Sequence, residues 1–188
     1  MNRAIKRDHE YLKNNNRLGW TAHHEAAHAI AFVRLGLPCS GVSITPSMES
    51  LGALGIEDSF KVAERYDDAG TVVPDAHDAD KYIVALFAGY FGGKIIRQRR
   101  RYAWSMSLPD FEMAKALLSA TPSKRGDLWR QAADLVEANF WLIHATALML
   151  QFCKSLNAVA LALVVAEADG DLGASDELES YILANRST

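Results

Sequence analysis

Hydrophobic residues recur at helical spacing along most of the chain, which predicts a mainly α-helical fold. The first helix is predicted over residues 20–35, where alanines and branched apolar residues share one face. Residues 80–96 and 109–119 show the same periodicity and predict two further helices. The helix predicted over residues 80–96 contains three glycines, which indicate either close packing against another element or an early end: Gly89, Gly92 and Gly93.

The second half of the chain is predicted to be almost entirely helical. Residues 127–166 are predicted as two helices with a break near residues 155–157. A last short helix is predicted over residues 176–183, where Asp176 and Glu179 have the spacing of a capping box. Together these segments predict a C-terminal helical bundle.

The β structure is predicted to be small. An alternating run at residues 42–45 predicts a short strand that Pro46 ends. Residues 51–56 are glycine-containing and are expected to pair with this strand. Residues 64–80 are acidic and contain Gly70, so they predict a long polar loop. The predicted fold class is therefore mainly α with a small β element.

Composition and charge exclude several classes of protein. Of the 188 residues, 49% are hydrophobic and 23% are charged, which is typical of a globular domain. A core of this size needs neither a disulfide nor a metal for folding. The net charge of −3 gives no electrostatic case for nucleic-acid binding, and the basic run at residues 97–101 is expected to be solvated surface.

Cysteine usage and apolar runs predict a cytoplasmic protein without a membrane span. Cys39 and Cys153 lie far apart among apolar residues, so they are expected to be buried thiols in a reducing compartment. Residues 1–19 are polar and contain no signal-peptide core. The longest apolar stretch, residues 158–168, is too short to span a bilayer and contains Glu167.

The segment His24-Glu25-Ala26-Ala27-His28 carries the candidate chemistry, because it matches the H-E-x-x-H pattern. In a helix, residues four apart lie on one face, so both imidazoles can reach a single Zn²⁺ ion. Glu25 follows the first histidine and is placed to accept a proton from the water that the metal activates. The motif predicts His24 and His28 as metal ligands and Glu25 as the catalytic base. The alternative is a helix whose histidines are only structural.

A catalytic zinc needs a third protein ligand, which the spacing leaves open. The candidates include His9, His77, His144 and many carboxylates. Of these, His144 is expected to be a packed helix residue. Asp110 stands at a predicted helix start, and on spacing alone the ordinary role of an N-terminal helix charge is favoured for it.

Five segments, in the same order, resemble the peptidase domain of FtsH-type ATP-dependent zinc metalloproteases. They are residues 24–29, similar to the HEAGHA segment; residues 42–46, similar to the strand after the zinc helix; residues 50–52, similar to the ALG segment beside the cleft; residues 83–89, similar to the IAVLLAG helix; and residues 107–114, similar to the GASNDLxxAT segment. The resemblance covers residues 20–183 and extends to the C-terminal bundle.

The resemblance implies a zincin-type active-site helix with Asp110 as the third zinc ligand. It also implies that Leu51 and Gly52 bind extended substrate as an added strand, and that the protein forms a homo-oligomer, since related domains assemble as hexameric rings. The expected organisation is a single domain, residues 1–188, with a polar N-terminal segment (1–18), a metal-site region (19–125) and a helical bundle (126–188).

The chain departs from the family in several respects, among them Ala27 in place of the glycine of HEAGHA and the basic run at residues 97–101. Gly93 and Lys94 stand where the family has paired glutamates, which removes carboxylates near the metal. The sequence contains no G-x-x-x-x-G-K-[ST] loop and no membrane anchor. Any ATP-driven unfoldase is therefore expected to be a separate partner.

These features predict a zinc-dependent metallopeptidase that hydrolyses peptide bonds in peptides or unfolded proteins. The alternative is a catalytically inactive module, derived from a peptidase, that binds metal or another protein; the intact Glu25 favours the enzyme. A regulatory peptidase that cleaves repressors is a third possibility, because residues 137–139 superficially resemble a third-ligand segment of such enzymes. A structural helix surface is the favoured interpretation of that segment.

Overall fold

A computed structural model describes residues 18–45, 53–55, 65–66, 72–73, 76–96 and 107–185. These residues are mainly helical, as the periodicity predicts. The α-helices, in chain order, are α1 (Leu18–Arg34), α2 (Ala76–Ile96), α3 (Leu108–Leu117), α4 (Arg125–Ala138), α5 (Phe140–Cys153), α6 (Ala158–Ala168) and α7 (Leu172–Asn185). No helix in the described ranges combines the length and the hydropathy that crossing a membrane requires.

Short antiparallel strands accompany the helices. They are β1 (Gly41–Ser43), β2 (Ala53–Gly55), β3 (Arg65–Tyr66), β4 (Val72–Val73) and β5 (Ser155–Asn157). β1 lies in the middle of a three-stranded sheet and pairs antiparallel with β2 and β5. The predicted strand and its pairing with the following segment are confirmed. The third strand was not predicted, because it is made by the break between two C-terminal helices.

The prediction of a long polar loop at residues 64–80 is wrong in two places. β3 and β4 pair within it, and α2 begins at Ala76 rather than at Asp80. The β-branched pair Val72–Val73 supplies local strand propensity that the acidic composition of the segment obscures.

The helix α1 lies in the centre of the fold, with residues 19–32 buried throughout. α2 and α5 pack against it. A Cβ at Gly92 would lie 2.3 Å from the Ala27 Cβ and 2.5 Å from the His23 carbonyl oxygen, so the glycine permits the close approach of α1 and α2. Of the two interpretations of the glycines, close packing is confirmed, since α2 continues to Ile96.

The C-terminal region contains one more helix break than predicted. The break after Cys153 is confirmed, but α4 and α5 are also separated, at Asn139. The Asn139 side chain donates a hydrogen bond to the Leu135 carbonyl oxygen at 2.9 Å, and this competes with regular helix geometry.

The predicted capping box of the last helix is also wrong. α7 begins at Leu172, so Asp176 lies inside the helix. The side chain that satisfies an amide of the first turn is that of Asp171, which accepts a hydrogen bond from the Gly173 N–H at 2.9 Å.

The two cysteines are free thiols, as expected from their separation. Cys153 is buried, whereas Cys39 is only half-buried.

Candidate metal centre

Three side chains from two helices converge at one point. His24 and His28 lie one turn apart on α1, and Asp110 projects from the first turn of α3. The Nε2 atoms of the two histidines are 3.1 Å apart. Asp110 Oδ2 lies 3.2 Å from His24 Nε2 and 3.5 Å from His28 Nε2. Asp110, for which spacing alone favoured a simple helix charge, is therefore brought to both predicted histidine ligands.

The triangle formed by these atoms has the dimensions of a zinc site. Ligand atoms bound at 2.0–2.1 Å in a tetrahedron lie about 3.3 Å apart. The three observed separations, 3.1, 3.2 and 3.5 Å, bracket this value. Two imidazole nitrogens and one carboxylate oxygen are also a donor set that suits Zn²⁺. The residues therefore fit the metal that the motif predicts.

A backbone carbonyl orients one of the histidines. His28 Nδ1 lies 2.8 Å from the Ala85 carbonyl oxygen of α2. A carbonyl only accepts, so Nδ1 carries the proton, and the neutral ring has its lone pair on Nε2, toward the other two groups. A metal-binding histidine usually donates the N–H of its other ring nitrogen to a hydrogen-bond acceptor of this kind. The other histidine, His24, stacks on Trp20 with ring centroids 4.7 Å apart.

α3 is anchored so that its acidic residue faces α1. Phe111 is buried against the aromatic rings of Phe87 and Trp129, which fixes the helix on α2. Ser107 and Asp110 have the spacing of a capping box, but Ser107 makes no side-chain cap, and the Asp110 carboxylate turns toward the histidines instead. The first turn of α3 therefore has no side-chain cap, and its carboxylate contributes to the three-residue cluster.

The predicted base, Glu25, is buried beside this cluster, with 8% of its surface exposed. Burial raises the pKa of Glu25, and the charge of Asp110 adds to the rise, while His24 and His28 lower it. A carboxylate whose pKa is raised toward neutral pH is a stronger base than an ordinary surface glutamate. Both its position and its environment suit proton transfer.

Gly89 forms the wall of the site on α2. A Cβ at this position would lie 2.3 Å from His28 Nε2 and 2.9 Å from His24 Cε1. The absence of a side chain therefore leaves the space in front of the two imidazoles open. Sequence spacing predicts either close packing or a helix end at Gly89, and the contact with His24 and His28 follows only from the packing of α2 against α1.

Gly89→Ala is expected to lower zinc affinity by more than about 100-fold, because the new methyl group displaces both imidazoles, and loss of a mere supporting contact already costs 10–100-fold. The measurement is competition for zinc with a chromophoric chelator. The matched control is Gly126→Ala on α4, where a Cβ would meet nothing within 4 Å. Unchanged affinity in Gly89→Ala would show that the imidazoles lie elsewhere when metal binds.

The metal-free cluster holds a proton near neutral pH. Burial alone would lower the pKa of His28, but the carboxylate of Asp110, with a smaller effect from Glu25, raises it to about 9. Burial would likewise raise the pKa of Asp110, but the two histidines hold it below its usual range. Metal binding must therefore displace a proton from His28.

Apparent zinc affinity is expected to rise about tenfold for each pH unit between pH 6.5 and 8.5, because one proton must leave a group whose pKa is about 9. Competition titrations at three pH values, corrected for protonation of the competing chelator, measure this slope. An affinity that levels off above pH 7 would show that His28 titrates at its ordinary value.

His144, another candidate ligand, stays outside the cluster. It is buried on α5, and its Nδ1 lies 2.9 Å from His23 Nε2. Since His23 Nδ1 is 2.8 Å from the Gly19 carbonyl oxygen and donates to it, His23 accepts the proton of His144. Glu137 lies exposed on α4, in agreement with a structural helix surface. His9, Leu51, Gly52 and residues 97–101 lie outside the described residues.

The departure at Gly93 and Lys94 has a local explanation. A Cβ at Gly93 would lie 2.6 Å from the indole of Trp20, so no glutamate fits at this position without moving the ring that stacks on His24. The Lys94 ammonium lies over the ring of Tyr90, 5.4 Å from its centroid. At Gly93, the packing of α1 against α2 therefore leaves no room for a carboxylate side chain.

No protein-family model matches the chain, and a search of curated proteins also gives no match.

Proposed function

We propose that the protein is a zinc-dependent metallopeptidase. The observation that carries this proposal is the convergence of His24, His28 and Asp110 on one point, with the buried carboxylate of Glu25 in the same helix as the two histidines. A structural zinc site normally has four protein ligands. Among the described residues three potential ligands converge, and three ligands leave a position for water or substrate, which is the arrangement of catalytic zinc.

The residues divide the chemistry between holding the metal and moving a proton. A zinc ion bound by His24, His28 and Asp110 would activate a water molecule and polarise the scissile carbonyl. The Glu25 carboxylate accepts the proton of the attacking water and then delivers it to the leaving amine. The resemblance to FtsH-type peptidase domains in motif order supports peptide hydrolysis as the reaction.

The substrate is proposed to be an unfolded protein or a peptide in extended conformation. β2 pairs with β1 along one edge, and within the described ranges no strand pairs with its other edge. An extended peptide can add to such an edge through backbone hydrogen bonds, without a requirement for particular side chains. Leu51 and Gly52 directly precede β2, which supports their proposed part in substrate binding. A folded substrate would first need a separate ATPase.

Casein cleavage without ATP tests the proposal. The zinc-loaded protein is expected to fragment this unfolded substrate, to lose the activity after treatment with a chelator, and to regain it when zinc is returned. Cleavage that survives complete metal removal would refute the zinc mechanism. Zinc binding without cleavage of casein or of a peptide library would instead support the metal-binding or protein-interaction module.

A further inference from the structure

α5 exposes a narrow apolar stripe on the side that faces away from the core. The stripe consists of Trp141, Ala145, Leu148 and Phe152, which lie within about 60° of one another around the helix. Trp141 is 58% exposed and Phe152 is 57% exposed. Ala145 is also exposed, and Leu148 is half-buried. The spacing of four, three and four residues is that of a coiled-coil contact line.

The whole of α5 has the composition of a buried helix. Its 14 residues, FWLIHATALMLQFC, contain no Asp, Glu, Lys or Arg. A helix that is apolar on every side is normally covered on every side. The core covers the inner face, through residues such as Leu142, Ile143 and Leu150. The outer stripe therefore exposes large apolar side chains to solvent.

The order of residues in the stripe is self-complementary. In an antiparallel pair of α5 helices related by a two-fold axis between residues 146 and 147, Trp141 of one copy faces Phe152 of the other. The same axis brings Ala145 of one copy against Leu148 of the other. Aromatic residues meet at the two ends, and a small residue meets a larger one near the axis. The uncharged helix brings no like charges together.

The stripe alone offers less area than a specific interface between two copies normally buries. The exposed parts of the two aromatic rings amount to roughly 250 Å² per copy, or about 500 Å² per pair. A specific interface buries about 1,200 Å² or more in total. The neighbouring helix α6 packs against α5, has no charged residue before Glu167 and exposes 64% of Val159. A second copy that also contacts Val159 would bury additional apolar area.

We propose that two copies of this chain associate through antiparallel, two-fold-related α5 helices. The interface lies on the outer face of the bundle and leaves the cluster of His24, His28 and Asp110 unused, so the dimer is independent of the proposed peptidase activity. The limited area predicts weak, reversible association.

Sedimentation velocity over about 1–200 µM protein tests the proposal. The wild type is expected to change from monomer to dimer across this range, and Trp141→Lys and Phe152→Glu are each expected to weaken association more than about tenfold. Leu183→Lys on α7 is the matched control, because Leu183 is 62% exposed and lies outside the stripe. Circular dichroism checks that each variant keeps its helical content.

Mixing the two stripe variants tests the antiparallel register. A mixed dimer places the introduced lysine of one copy opposite the introduced glutamate of the other at one end, and it retains the contact between Trp141 and Phe152 at the other end. Mixing is therefore expected to restore association. A wild type that stays monomeric at 200 µM would overturn the proposal and leave the stripe to a different partner. Stripe variants that dimerise like the wild type, or variants that mixing fails to rescue, would also overturn it.

Discussion

Glu25→Gln is expected to slow peptide cleavage by about 10²–10⁴-fold while zinc affinity stays within a few-fold of the wild type. Glutamine has nearly the shape of glutamate but cannot accept a proton from the attacking water. The zinc affinity is retained because the side chain is not among the three that converge on the metal position. The measurement is the initial rate of casein cleavage, together with zinc titration of the same samples.

The same substitution has a second expected result, in folding stability. Because burial raises the pKa of Glu25 above its value in an unfolded chain, the ionised carboxylate opposes folding at pH values above the folded-state pKa. Metal-free Glu25→Gln is therefore expected to unfold at a higher temperature than metal-free wild type at pH 8. A less stable variant would show that favourable contacts stabilise the ionised carboxylate in the folded protein, so that its burial does not oppose folding.

Glu112→Gln on α3 is the matched control for both measurements. It removes the same charge from a side chain that is 73% exposed and lies two positions from Asp110. Neither the rate nor the stability is expected to change much, since exposed carboxylates contribute little. If Glu112→Gln slows cleavage as strongly as Glu25→Gln, the loss is due to net charge near the site, and the assignment of Glu25 as the base fails.

Local periodicity predicted most of the helices correctly. α1 spans residues 18–34 where residues 20–35 were predicted, because an alanine-rich segment with one apolar face has little choice of local structure. Two of the failures lie where a single polar side chain decides the boundary. Asn139 divides α4 from α5 through a bond to a backbone carbonyl, and Asp171 starts α7 four residues before the predicted beginning at residue 176.

Helical spacing predicted only the part of the site that lies within one helix, and Asp110 was predicted from the family resemblance. His24, Glu25 and His28 follow from helical spacing, which is a local property. Asp110 is 82 residues beyond His28, and only the packing of α3 on α2 through Phe111 brings its carboxylate to the histidines. The Ala85 carbonyl has no side-chain signature at all, so its support of His28 could not be predicted from the sequence.

Asp110→Asn is expected to lower zinc affinity by more than about 100-fold and to abolish cleavage at equimolar zinc. Loss of a group that merely supports a ligand already costs 10–100-fold, and here a ligand itself is replaced by a neutral, poorer donor. In the metal-free protein, the pKa of His28 is expected to fall from about 9, because Asp110 is the main group that raises it. NMR titration of the imidazole resonances measures that change without any enzymatic assay.

The two readouts of Asp110→Asn separate metal binding by the carboxylate from its electrostatic effect on His28. If zinc affinity and the pKa of His28 both fall, Asp110 is the third ligand and the electrostatic partner of the histidines. If the pKa falls but zinc binds as in the wild type, the carboxylate pairs with His28 only when the metal is absent. Another ligand, such as His9 from outside the described residues, must then complete the site, and the proposed three-residue centre would be wrong.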